Sequence, residues 1–110
     1  MTDPLRSVVR SGDGVHEVDL VFPAGADYFD GHFADAPVLA GVVQTGTAVR
    51  ELALALGRPV RLREIRKLKF MRVVHPGEAL HLRLARKSDG EWTFSYTCAD
   101  GPCTSGIFIF

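Results

Sequence analysis

The chain has 110 residues, 46% hydrophobic and 24% charged, and its 13 basic and 13 acidic side chains cancel to a formal net charge of zero. That length suits a single domain, 1–110, that buries a core but keeps a large surface fraction, so dimerisation would add stability. The balance excludes a disordered chain and a global basic field aimed at nucleic acid, and no apolar run approaches the length of a membrane span.

The N-terminus, Met1-Thr2-Asp3-Pro4-Leu5-Arg6, has an acid and no apolar signal core, so residues 1–6 are expected to be loose and the protein cytoplasmic. Val15 to Phe22 alternates, with Val18, Leu20 and Phe22 on one face and Glu17 and Asp19 on the other, as in a half-buried strand. Pro23-Ala24-Gly25 breaks it. The next stretch, Tyr28 to Gln44, gathers a histidine, aromatics, glycines and a proline directly ahead of the one clear helix pattern, 41–56. In that helix Val42, Val49, Leu52, Ala53 and Leu56 recur at helical spacing as an apolar stripe, Gly46 lies within it, and few polar groups interrupt the rest. The helix is therefore expected to be buried nearly all round. A mid-helix glycine costs up to about 1 kcal/mol against alanine, so Gly46 suggests close approach by a neighbouring element or by an acyl chain. Gly57 and Pro59 end the helix.

From there the chain reads as strands. Val60 to Val73 is extended, with a slip in register near Ile65, and His75-Pro76-Gly77 turns. Leu80, Leu82 and Leu84 alternate with polar neighbours, and Ser88-Asp89-Gly90 is a hairpin signal. Trp92, Phe94, Tyr96 and Cys98 share a face, Asp100-Gly101 turns, and Ser105 to Phe110 closes the sheet. Short turns make antiparallel neighbours, and one apolar helix on such a sheet is an α+β, two-layer arrangement. Cys98 and Cys103 flank a turn; two free thiols are the favoured reading, with a pair facing across the hairpin as the alternative. His16, His32, His75 and His81 show no ligand spacing, so no metal is expected. His16 and His81, on polar strand faces, and His75, in a turn, are expected at the surface.

His32 just ahead of a helix N-terminus is a candidate base beside a candidate oxyanion site. Imidazole exchanges protons near neutrality, and the first N–H groups of a helix have no internal partner. The alternative is a structural histidine that satisfies loop carbonyls.

The run Gly31-His32-Phe33, Pro37-Val38-Leu39 and Gly41-Val42-Val43-Gln44 resembles the signature of the 3-hydroxyacyl-ACP dehydratases of type II fatty-acid synthesis. Val73-Val74-His75-Pro76-Gly77-Glu78-Ala79-Leu80 is similar to a second motif of that family, and the resemblance spans the chain from about Val18 onward. The Val-Val-Gln after the glycine is similar to the short dehydratases of polyketide-like and aryl-polyene pathways. The resemblance implies a hotdog fold, a sheet wrapped round the helix, in a dimer with the acyl site at the subunit interface. It implies hydro-lyase chemistry on an acyl thioester, with no metal or redox cofactor, the substrate being carried on the phosphopantetheine of an acyl carrier protein or on CoA. It gives His32 the proton abstraction and the Gly41 N–H the thioester oxygen, with Phe33, Val42, Gln44, Gly46 and Thr47 at the substrate.

The chain departs from the family at the third role. The usual Glu or Asp, fourteen residues after the histidine, is Gly46, and the family's helical Gln is Arg50. Proline is absent at Ala34 and Ala40. His32 could return the proton itself, or Gln44, Thr45 or Thr47 could orient a water. Glu51 lies about 140° round the helix from Gly46 and should not substitute. A thioesterase on the same fold, or a non-catalytic acyl-ACP binder that forms half of a heterodimer with a second hotdog protein, are the other readings.

Seven of the thirteen basic residues fall between Arg58 and Arg72, opposed only by Glu64. Arg61 and Arg63, then Lys67 and Lys69, are spaced for one strand face. This is a solvated face that resists edge pairing, or a dock for an acidic partner such as an acyl carrier protein. No nucleic-acid motif accompanies it.

Overall fold

The computed structural model describes residues 4–23 and 39–110. Their order is β1 (Leu5–Gly12), β2 (Val15–Val21), α1 (Gly41–Leu56), β3 (Glu64–Phe70), β4 (Ala79–Ser88), β5 (Glu91–Cys98) and β6 (Gly101–Ile109). The six strands form one sheet in the order β1-β2-β4-β5-β6-β3, and every pairing is antiparallel. The arrangement is the α+β one expected, with α1 laid on one face.

The inward positions are those the alternation marks. Val18, Leu20 and Phe22, then Leu80, Leu82 and Leu84, then Trp92, Phe94 and Tyr96 are buried together with Phe108 under Ala48 and Leu52 of the helix. Each such large side chain stabilises the fold by about 1.5–3 kcal/mol relative to exposure. Phe94 and Phe108 stack with centroids 4.3 Å apart. Gly106 is needed for this, because a Cβ there would stand 2.7 Å from the Phe94 ring.

Several expectations need correction. Leu5 and Arg6 are not loose but begin β1, an edge strand paired with β2. Its residues are exposed throughout, so it has no alternation to read. The long strand expected over 60–73 is confined to Glu64–Phe70, and β6 begins at Gly101 rather than Ser105. The register slip falls between Arg66 and Lys69, not at Ile65, and Lys67 there takes a left-handed φ of 53°. That bulge interrupts the pairing of β3 with β6.

The helix bounds agree with the sequence, and Gly57 closes it at φ 69° with its N–H on the last-turn carbonyls. Its faces differ from expectation. The buried residues are Gln44, Thr47, Ala48, Glu51 and Leu52, while Val42 is 77% exposed and Gly46, Arg50 and Leu54 share the open side. Gly46 is therefore outside the buried face, and a Cβ on it would meet nothing within 4 Å. Polar residues can occupy the inner face because each finds a partner: among the described residues no buried side-chain polar atom lacks one. His16 follows the inward parity of Val18 and is 3% exposed, against the surface placement expected.

Candidate functional site

Ala40 enters the helix extended, no side chain caps it among the described residues, and its first turn carries no acid. Its backbone turns into the helix at the Ala40 carbonyl, which accepts from the N–H groups of Val43 at 3.1 Å and Gln44 at 3.2 Å. Gly41 is pressed by the Phe70 ring from the edge strand, and a Cβ would stand 2.6 Å from Phe70 Cζ. Only glycine lets that ring cover the first turn without a shift.

Just below, Gln44 is held from three sides. Its amide nitrogen donates to the Leu39 carbonyl at 3.2 Å, its side-chain oxygen accepts from the Thr104 hydroxyl, and its backbone carbonyl accepts from Tyr96 Oη at 2.7 Å. Burial pushes the Tyr96 phenol well above its ordinary range, so it stays a donor. Gln44 fixes the helix start against the sheet.

The two sequence motifs meet here. Leu39 N–H donates to Val74 O at 2.8 Å, and Gly77 N–H donates to Phe22 O at 2.8 Å. The turn that contains His75, Pro76 and Gly77 thus holds both Phe22, before the histidine-bearing segment, and Leu39, after it. The turn closes on itself through His75 N–H to Glu78 Oε1 at 3.0 Å, with Gly77 at φ 76°. His32 and Phe33 themselves lie outside the described residues.

The other expected substrate residues divide between two faces. Gln44 and Thr47 point into the protein, whereas Val42 and Gly46 lie on the open side. Thr45 turns its hydroxyl back to the Gly41 carbonyl at 3.2 Å. Glu51, the helix's sole carboxylate, is spent elsewhere: Arg6 grips it bidentately at 2.7 and 2.8 Å, and His16 Nε2 meets it at 2.9 Å. Burial pushes the Glu51 carboxyl up, but the hydrogen bonds from Arg6 and His16 outweigh it and hold the group below the usual carboxylate range. The network ties β1 to the helix. Sequence reasoning missed it, although the inward parity of His16 was the available signal.

Arg61 and Arg63 are exposed ahead of β3, and Lys67 and Lys69 on it line an open groove of about 320 Å³ with Thr93, Ser95 and Ser105. Around Phe70, 53% exposed, lie further exposed apolar side chains on the same run: Leu68, Met71 and Val73. No described helix is long and apolar enough to cross a membrane.

Comparison with known proteins bears on this geometry. A family model described as ApeI-like, ApeI dehydratase, matches residues 9–107. Among curated proteins no relative matches. Of solved structures, the dehydratase heterocomplex ApeI:P from Xenorhabdus doucetiae superposes with a TM-score of 0.88 at 23% identity, covering 98% of this chain and 97% of that one. An uncharacterized protein from Erwinia carotovora subsp. atroseptica gives 0.78 at 26% identity, over 98% and 95%. Thioesterase superfamily member 2 from Mus musculus gives 0.73 at 12% identity, over 94% and 78%, a likeness of fold. The fold is the hotdog.

Proposed function

We infer the reaction from membership: the chain belongs to the ApeI-like dehydratase family. We propose that it eliminates water from a 3-hydroxyacyl thioester carried by an acyl carrier protein, as a dimer of hotdog subunits. His32 removes a proton from C2. The Gly41 N–H, at an uncapped helix start, stabilises the enolate-like thioester oxygen, a contribution typically worth 10²–10³ in rate. The C3–O bond then breaks, and the hydroxyl leaves as water with the proton that the imidazolium returns. The observation that carries this reading is the junction of the two motifs, whose turn holds both flanks of the His32 segment beside a helix N-terminus that no described side chain caps. The exposed Val42, Phe70, Met71 and Val73 next to Gly41 support a subunit interface there. Arg61, Arg63, Lys67 and Lys69 supply the basic dock for the acidic carrier.

A second reading is favoured by Gly46. The open space above it has no carboxylate of its own helix to fill it, and a protein of similar fold is a dehydratase heterocomplex. On that reading this chain is the acyl-binding half of a heterodimer whose partner supplies the acid. Incubation of the purified protein with 3-hydroxyacyl-ACP and with an enoyl thioester, reading dehydration, hydration and free thiol together, separates these readings. Enoyl product from the chain alone supports the homodimer. Turnover only with a second hotdog protein supports the heterodimer, and thiol release would replace both with a thioesterase.

A further inference from the structure

We propose that the tip of the β5–β6 hairpin, where the donor atoms of Glu78, Cys98 and Asp100 lie within 4.8 Å of one another, binds a thiophilic divalent cation of the zinc class. The site is assembled by two separate pieces of chain. Cys98 ends β5 opposite Gly101, and Asp100 sits in the turn between them. Glu78 arrives from the turn before β4. That turn is drawn to the hairpin through residues 71 and 72, whose N–H groups donate to the Cys103 carbonyl at 2.7 and 3.2 Å.

The donors are available. Glu78 uses only Oε1, on the His75 N–H, so its second oxygen remains. The nearby Arg72 guanidinium donates to the Asp100 backbone carbonyl at 3.0 Å, not to its carboxylate, and no hydrogen bond or ion pair engages that carboxylate among the described residues. Asp100 is exposed and Cys98 half-buried. Cys98 also lines an open groove of about 500 Å³, which gives an ion a way in from solvent.

The chemistry fits a borderline-soft ion better than calcium or magnesium, which take oxygen ligands alone. Zinc holds sulfur at about 2.3 Å and carboxylate oxygen at about 2.0–2.2 Å, so tetrahedral donors stand roughly 3.3–3.8 Å apart. Small side-chain rotations close 4.8 Å to that range. Cys98 thiolate, Glu78 and Asp100 are three ligands, and a solvent molecule would complete the tetrahedron. A thiol ligates as its thiolate, so binding releases a proton and tightens as pH rises.

The test uses the full chain, kept reduced with a phosphine. Zinc is titrated calorimetrically at two pH values, and cobalt is used as a spectroscopic stand-in. Wild type should take up one equivalent of zinc, more tightly at the higher pH, with a thiolate-to-cobalt charge-transfer band and a raised melting temperature. Cys98→Ser should abolish the band, and both Cys98→Ser and Asp100→Asn should weaken zinc binding tenfold or more. Asp100 lies in an exposed turn, so that variant keeps its fold. No zinc uptake by wild type, or an affinity that either variant leaves unchanged, would overturn the proposal.

Discussion

Replacing Gly46 with glutamate puts an acid where the resemblance to the 3-hydroxyacyl-ACP dehydratases implies one. A Cβ at Gly46 meets nothing within 4 Å, so the side chain enters open space rather than a filled core. Stability should therefore rise rather than fall, because leaving glycine in an exposed helix position costs about 0.8–1 kcal/mol against a good helix former. The expected shift in melting temperature is a few degrees upward. General acid–base assistance typically contributes 10²–10⁴-fold, equivalent to about 2.7–5.5 kcal/mol of barrier. An engineered carboxylate without its supporting contacts should recover the low end of that range or less, about tenfold. The acid must be protonated to act, and an exposed glutamate ionises near about 4.3. The gain should thus be largest at low pH and fade as pH rises. The assay is the initial rate of enoyl-thioester formation from 3-hydroxyacyl-ACP, wild type against Gly46→Glu, at matched protomer concentration and several pH values. A variant at least as stable as wild type that dehydrates no faster at any pH would refute the reasoning.

Arg6→Ala should destabilise the protein by about 1.5–3 kcal/mol in urea unfolding, since it strips two charged hydrogen bonds from a carboxylate 2% exposed. Glu51 is held below its ordinary range, so its stabilisation is present above the unfolded value and lost as pH falls through the folded one; the gap between variant and wild type should therefore narrow in acid. His81 has the opposite sign: hydrogen bonds to Asp19 first and Glu17 second raise it, so its contribution is full below 6.5 and is lost as pH rises through the folded value. His81→Gln should flatten that slope, by no more than about 1 kcal/mol because the pair is exposed, as chemical denaturation across pH would measure. Charge reversal at Arg61, Arg63, Lys67 and Lys69 should weaken carrier binding in a titration, and wild-type binding should weaken with salt, exposed charges acting over about 8–10 Å. Binding indifferent to both would leave the patch a solvated face.

The helix bounds were legible because its ends are punctuated, by Gly41 at the start and a left-handed Gly57 at the close. The inward strand positions were legible because Val18-Leu20-Phe22 and Leu80-Leu82-Leu84 alternate against polar neighbours. β1 was not, since an edge strand exposed on both faces has no period; its turn, Asp13-Gly14, both at positive φ, was the overlooked signal. The helix faces were misread because hydrophobicity was taken as the mark of burial. Gln44, Thr47 and Glu51 are inside, and Gln44 and Glu51 are held there by partners distant in sequence, Thr104 and Tyr96 for one and Arg6 and His16 for the other. Such pairings have no local signature. The candidate site was legible as two motifs, but not the way they join, which depends on backbone hydrogen bonds from Leu39 to Val74 and from Gly77 to Phe22.

The account rests most directly on His32. The measurement is enoyl-thioester formation from 3-hydroxyacyl-ACP by wild type and by His32→Ala, each alone and each with a dehydratase-like second subunit, with melting temperatures recorded alongside. The account predicts product from wild type, none above background from the variant, and melting temperatures within a few degrees of each other. Undiminished product from a folded His32→Ala, or no product from wild type in either setting, would contradict it.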